Sequence, residues 1–136
     1  EAIRRETNCW LEVTTLLIPG LNDSEAEIDG LTAWVAAHLG GGTPLHFSAF
    51  HPDGEMLDRP ATPPETLRRA RAQAKKNGLR HVYAGNVYGE EEATATWCPD
   101  CGAKLIEREG FRSRVVGMEA AGRCAACGRN CEGVWT

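Results

Sequence analysis

The sequence has no apolar run long enough to cross a bilayer and no signal-like pattern of a basic start followed by a short apolar stretch. No membrane partner is therefore expected, and the expected compartment is cytoplasmic. A concentrated basic surface is also missing. The 15 Lys and Arg residues are scattered among 19 Asp and Glu, for a net charge of −4, which disfavours nucleic acid as a partner. The dispersed cysteine framework of a disulfide-stapled secreted domain is absent too, because four of the six cysteines fall into two Cys-x-x-Cys pairs. Apart from those pairs there is no internal repeat. What remains, in 136 residues of near-average composition, is one or two compact domains with a modest core. The opening phrase Glu1-Ala-Ile-Arg-Arg5 is helix-like and raises the expectation of a longer parent.

The first two-thirds of the chain alternates strand and helix signals. From Trp10 to Ile18, Leu11, Val13, Thr15 and Leu17 alternate with Trp10, Glu12, Thr14 and Leu16, a β pattern closed by Pro19-Gly20. Ser24 and Glu27 have capping-box spacing ahead of Ile28, Leu31, Val35 and Leu39 at helical intervals, and Gly40-Gly41-Gly42 stops that helix. Leu45 to Phe50 is a second strand, followed by the turn His51-Pro52-Asp53-Gly54. Thr62-Pro63-Pro64-Glu65 supplies a capping residue, proline in the first turn and a carboxylate. The helix that follows carries Leu67, Ala70 and Ala74 inward and stops at Asn77-Gly78. His81 to Tyr88 is a third strand, and the β-α-β-α-β order favours parallel pairing. Gly89-Glu90-Glu91-Glu92 is expected to be a charged linker.

The last third carries the strongest chemical signal. Cys98-Pro-Asp-Cys101-Gly102 and Cys124-Ala-Ala-Cys127-Gly128 each place two thiolates on one tight turn, where they can reach adjacent corners of a tetrahedron. The glycine after each pair lets backbone N–H groups turn toward sulfur. Between the pairs, Lys104-Leu-Ile-Glu-Arg108 and Arg114-Val-Val-Gly117 are enough for a hairpin. This arrangement resembles a zinc ribbon or rubredoxin-like domain. Zn2+ and mononuclear iron both accept four thiolates, so spacing leaves the metal open. Cys131 extends the second pair into a phrase that could join an iron–sulfur cluster or be a spare thiol beside a filled site. Four sulfurs close the coordination shell, which makes the site a structural one.

Four phrases carry a wider resemblance: Trp10-Leu-Glu-Val-Thr-Thr-Leu-Leu-Ile-Pro-Gly-Leu-Asn-Asp23, Pro44-Leu-His-Phe-Ser-Ala-Phe-His-Pro52, Met56-Leu-Asp-Arg-Pro-Ala-Thr-Pro63 and Tyr83-Ala-Gly-Asn-Val87. In this order, with the Cys-Pro-x-Cys-Gly tail after them, they resemble the radical S-adenosylmethionine enzyme of the AmmeMemoRadiSam system, a relative of pyruvate formate-lyase activating enzymes. The resemblance implies an α/β fold: residues 1–92 form the last three strands of a partial parallel (β/α) barrel, and residues 93–136 a small four-Cys β domain. It also implies that S-adenosylmethionine and a four-iron, four-sulfur cluster act in the complete enzyme. The C-x-x-x-C-x-x-C motif that would bind the cluster does not occur here, so the chain alone is expected to be inactive. S-adenosylmethionine and an unidentified substrate would be met together with a missing N-terminal part.

Functional groups of α/β barrels gather at the C-terminal strand ends, which singles out several residues. The resemblance implies that His51 packs near the adenine; the plain alternative is a solvated turn histidine. Ile18, Pro19 and Gly20 would offer backbone and apolar contacts to adenosine, or be an ordinary turn. Gly85 and Asn86 would shape the pocket mouth, or mark a bulge. His46 and Ser48 are expected to face the barrel interior, opposite Leu45, Phe47 and Ala49. Trp34 and Val35 are expected in core or helix–helix contacts, and the basic run Arg68, Arg69, Arg71, Lys75 and Lys76 on a solvated face. Three strands leave open edges, so a protein partner or self-association through them is expected. The rival class is a non-catalytic binding module in which the ribbon recognises protein or nucleic acid. Glutamates 107, 109, 119 and 132 dilute its basic residues and weigh against the nucleic-acid form.

Overall fold

The structure, a computed structural model, describes residues 1–135. After a short helix α1 (Ala2–Glu6) come β1 (Val13–Leu17), α2 (Glu25–Leu39), β2 (Leu45–Ala49), α3 (Pro64–Lys76) and β3 (Val82–Gly85). The strands form one sheet in the order β1-β2-β3, with Val13 opposite Leu45 and Leu45 opposite Val82, and both pairs are parallel. Alternation decides the faces. Leu17, Leu45, Phe47, Ala49, Val82 and Ala84 are buried in one core with Ile28, Val35 and Leu39 of α2 and Leu67, Ala70 and Ala74 of α3. Phe47 and Leu45 are fully buried, and truncating Phe47 to alanine would cost about 3–5 kcal/mol. The other face, with Thr14, Leu16, His46, Ser48, Tyr83 and Gly85, is not covered by these helices, and Leu16 stays exposed.

Local chemistry explains most element ends. The Ser24 hydroxyl accepts the Glu27 N–H at 3.3 Å, the cap its spacing predicts, but the Glu27 carboxylate accepts the Ser24 hydroxyl at 2.6 Å rather than the Ser24 backbone N–H, so only half of the capping box forms. Gly40 and Gly78, both at φ +92°, end α2 and the turn after α3 in a region that other residues avoid. Asn77, at the end of α3, donates to the Asp29 carboxylate at 2.9 Å and to Thr32 Oγ1 at 2.8 Å, tying α3 to α2. Gly41 and Gly42 do more than stop a helix. A Cβ on Gly41 would lie 2.5 Å from the Gly78 carbonyl oxygen, and one on Gly42 would lie 2.8 Å from the Glu132 side chain.

Five expectations change. The first strand begins at Val13 rather than Trp10. The third ends at Gly85, because Asn86 adopts φ +56° and turns the chain. Thr62 does not cap α3, whose N-cap is Pro63. Its buried hydroxyl instead accepts the Phe50 N–H at 2.8 Å and donates to the Leu17 carbonyl at 2.6 Å, joining the ends of β1 and β2. Trp34 is 45% exposed and stacks on His38 with ring centres 4.7 Å apart, while only Val35 enters the core. The expected linker is partly helical: α4 (Glu91–Thr94) straddles residues 92 and 93 and buries Ala93 in the core of the parallel sheet.

Beyond α4, β4 (Thr96–Trp97), β5 (Lys104–Glu109) and β6 (Arg112–Val115) form an antiparallel sheet, and β7 (Met118–Glu119) pairs with β8 (Arg123–Cys124). Leu105, Cys98, Cys124 and Cys131 make up its small core. Glu132 joins this unit to the parallel sheet. Its carboxylate lies 2.6 Å from the Arg80 guanidinium, 2.9 Å from Nε2 of the buried His81 and 3.2 Å from Arg129. Burial alone would raise the Glu132 carboxyl. The hydrogen bonds from His81, from its own backbone N–H and from Arg80 outweigh burial and hold it at about 2. Among the described residues no helix is long and apolar enough to cross a membrane.

Candidate metal centre and the strand-end cleft

The two cysteine turns are built alike. In the first, the Cys98 N–H donates to the Ala103 carbonyl at 2.8 Å and the Gly102 N–H to the Cys98 carbonyl at 2.9 Å. In the second, the Cys124 N–H donates to Arg129 and the Gly128 N–H to Cys124, both at 2.8 Å. Gly102 and Gly128 sit at φ +72° and +75°, so the same left-handed residue closes each turn. Backbone N–H groups then point at sulfur: Ala103 toward Cys101, Ala126 and Cys127 toward Cys124, and Arg129 toward Cys127.

The turns face each other. Cys98 Sγ is 3.6 Å from Cys127 Sγ, Cys101 Sγ is 3.7 Å from Cys124 Sγ, and all four sulfurs lie within 4.8 Å of one another. A tetrahedral ion with metal–sulfur bonds of about 2.3 Å requires sulfurs about 3.8 Å apart. A disulfide would need about 2.05 Å. Cys98 and Cys124 are buried while Cys101 and Cys127 are exposed, so the inner edge of the tetrahedron is sealed and the outer edge meets solvent. The thiols themselves show what the cluster needs. The N–H groups of Cys127 and Ala126 and the neighbouring thiols pull Cys124 down to about 7, against the opposing effect of burial. At Cys127 the Arg129 N–H favours the thiolate, but Cys101, Cys98 and Cys124, together with burial, push it up to about 12. Four thiolates this close repel one another, and a cation at their centre turns that repulsion into attraction. The donor set fits one metal ion. Arg129 braces the two turns, 2.5 Å from the Asp100 carboxylate of the first.

Cys131 stands outside the four-sulfur group. It is buried beside Cys98 and Cys124, with Sγ 3.8 Å from the Arg129 carbonyl, and burial followed by the charges of Cys98 and Cys124 pushes its thiol up. Cys9 is exposed near the start of the chain.

A cleft of about 710 Å³ opens at the C-terminal end of β3, lined by His46, His51, Gly85, Asn86, Tyr88 and Phe111 among others. His51 Nε2 donates to the Asn86 carbonyl at 3.0 Å, so these two expected site residues meet, with Gly85 beside them. Ile18, Pro19 and Gly20 do not line this cleft. Their turn is internally satisfied: the Ile18 N–H donates to Asn22 Oδ1 at 2.7 Å, the Gly20 N–H to Asp23 Oδ1 at 2.8 Å, and the Pro19 carbonyl accepts from Arg59 at 3.2 Å. His46 and Ser48 lie on the uncovered face, as alternation predicts. His46 Nε2 donates to Glu12 at 2.8 Å and its ring stacks on Tyr83 at 4.9 Å. The Tyr83 hydroxyl is 3.0 Å from Thr96 Oγ1, which also accepts from Arg108 Nη1 at 2.8 Å. The cysteine-bearing unit thus supplies Arg108 and Phe111 to the cleft wall, a contribution that no local sequence pattern signals.

Comparison with known proteins bears on the extent of the chain. It is 43% identical over 127 residues to an uncharacterized protein of Methanocaldococcus jannaschii. The match covers 93% of this chain and 38% of that protein, so the chain spans little more than a third of its relative's length. No protein-family model and no solved structure matches the chain.

Proposed function

We propose that this chain is the C-terminal portion of a radical S-adenosylmethionine enzyme resembling that of the AmmeMemoRadiSam system, furnishing part of the cofactor pocket and a structural metal ribbon. The observation that carries the reading is the helix-free face of the parallel sheet. Helices cover one side only, while the other presents His46, Ser48, Tyr83 and Gly85 beside a cleft at a strand end. A sheet in a closing α/β barrel has this division, with side chains of one face lining the interior. The quoted phrases, and the match to a much longer protein, support the same reading.

In the complete enzyme, S-adenosylmethionine and an iron–sulfur cluster would supply the radical chemistry. The cluster does not fit this chain, because its four clustered thiolates already form one tetrahedral set. What the chain's own residues do is shape and position. His51 and Asn86 fasten the ends of β2 and β3 to each other, and the exposed His51 ring offers a flat surface for adenine. The metal, zinc or iron, would hold the small β unit in shape, so that Arg108 and Phe111 stay against the cleft.

The test compares two proteins under anaerobic reduction: this chain alone, and the longer protein that contains it. The longer protein should form 5′-deoxyadenosine from S-adenosylmethionine and the isolated chain should not. In the longer protein, His51→Ala should weaken cofactor binding by about 1–2 kcal/mol, the scale of one stacking contact. A longer protein without a cluster or cleavage activity would overturn the reading and leave a non-catalytic binding module.

A further inference from the structure

A second groove, of about 590 Å³, lies between α3 and the first cysteine turn, beside the start of β3. Its charge is unbalanced. Arg71 and Lys75 point into it from successive turns of α3, and Arg80 stands at its rim with its charge shared by Glu132. Arg71 is half-buried. Its Nε donates to the Val82 carbonyl at 3.1 Å, and its two terminal nitrogens have no carboxylate or other hydrogen-bond partner among the described residues. Lys75 has none either. The contrast on the same helix is Arg68, which pairs with Glu90 at 2.5 Å and Glu65 at 3.0 Å. Trp97 forms part of the wall, with the Lys104 ammonium 4.9 Å above its ring, and Glu92 is the one acidic residue in the lining. Burial disfavours the charge on Arg71 and outweighs the favourable fields of Glu90 and Glu92, while burial together with Arg71 disfavours the charge on Lys75.

Glu92 in the lining and nearby Glu90 offset part of this charge without pairing with either side chain. Two adjacent cations that make no ion pair, one of them a guanidinium fixed through Nε with its terminal nitrogens free, match a multiply charged oxyanion better than a single carboxylate. We propose that this groove binds a phosphate-bearing small molecule, with Arg71 and Lys75 holding the phosphate and Arg80 at the rim. Cys98, Pro99 and Gly102 form the opposite wall, so the bound group lies against the metal's first turn. The site is separate from the strand-end cleft, and the proposal does not depend on the radical-enzyme reading.

The test titrates the metal-loaded chain with inorganic phosphate at constant ionic strength, following the Arg71 Nε–H and Trp97 indole N–H resonances by NMR. Both should shift and saturate together, with the Arg68 signal unmoved. Lys75→Met, which removes no hydrogen bond and should fold normally, should weaken binding roughly tenfold or more, the scale of one charge-assisted contact. Arg68→Gln should leave it unchanged. Resonances that do not saturate, unaltered binding in Lys75→Met, or equal weakening by Arg68→Gln would each overturn the proposal.

Discussion

Replacing Glu132 with glutamine keeps the shape of the residue that joins the two sheets and removes its charge. The wild-type carboxyl is held at about 2 against an ordinary 4.5, a difference equivalent to about 3 kcal/mol. The side chain keeps 24% of its surface exposed, and solvent screening of its ion pairs reduces this to about 1–2 kcal/mol. Because the folded carboxyl is the stronger acid, this contribution is fully present above pH 4.5 and is lost as pH falls toward 2. Urea unfolding of wild-type and Glu132→Gln proteins, both metal-loaded, should therefore differ by about 1–2 kcal/mol from pH 8 to pH 5. The gap should narrow as pH drops below 4.5. Acid release of the metal would unfold the unit that carries Glu132 and close the gap by itself, so the two proteins are compared only at pH values where elemental analysis finds the metal still bound. A gap under about 0.3 kcal/mol at pH 7, or one that widens in acid, would refute the assignment of Glu132 as the electrostatic joint.

Thr62→Val should cost about 1–3 kcal/mol, because it leaves the buried Phe50 N–H without its 2.8 Å acceptor; urea unfolding and faster amide exchange at Phe50 would show it. Gly117→Ala should disrupt the β unit, since its Cβ would fall 2.2 Å from the Lys104 carbonyl oxygen, and the amide spectrum of β5 and β6 should collapse while that of α2 persists. Cys101→Ser should lose the metal and unfold the same unit, whose core is too small to stand on apolar burial, and elemental analysis with circular dichroism would record both losses.

Local patterns were legible in the sequence where a few neighbouring residues determine the outcome. The Ser24 cap, the glycine stop after α2, the alternation that sorts Phe47 from His46, and the cysteine turns all depend on contacts within five residues. The strand ends were less legible, because Asn86 turns the chain while its flanking residues still look like strand. The role of Thr62 is hidden for a related reason. It has the composition of a cap, but its hydroxyl finds partners 12 and 45 positions away once β1 and β2 are side by side. The Glu132 joint spans more than 50 positions, and only the glycine pair that makes room for it, Gly41-Gly42, left a trace in the sequence. Arg71 and Lys75 looked like part of a solvated basic run. Docking of the cysteine turn against α3 makes them walls of a groove.

X-ray absorption at the metal edge of protein purified without added metal tests the four-thiolate centre most directly. One zinc or iron per chain, with four sulfur neighbours at about 2.3 Å and no nitrogen or oxygen in the coordination shell, is the predicted result. A shell containing nitrogen or oxygen, more than one metal per chain, or a folded β unit with no metal at all would contradict it.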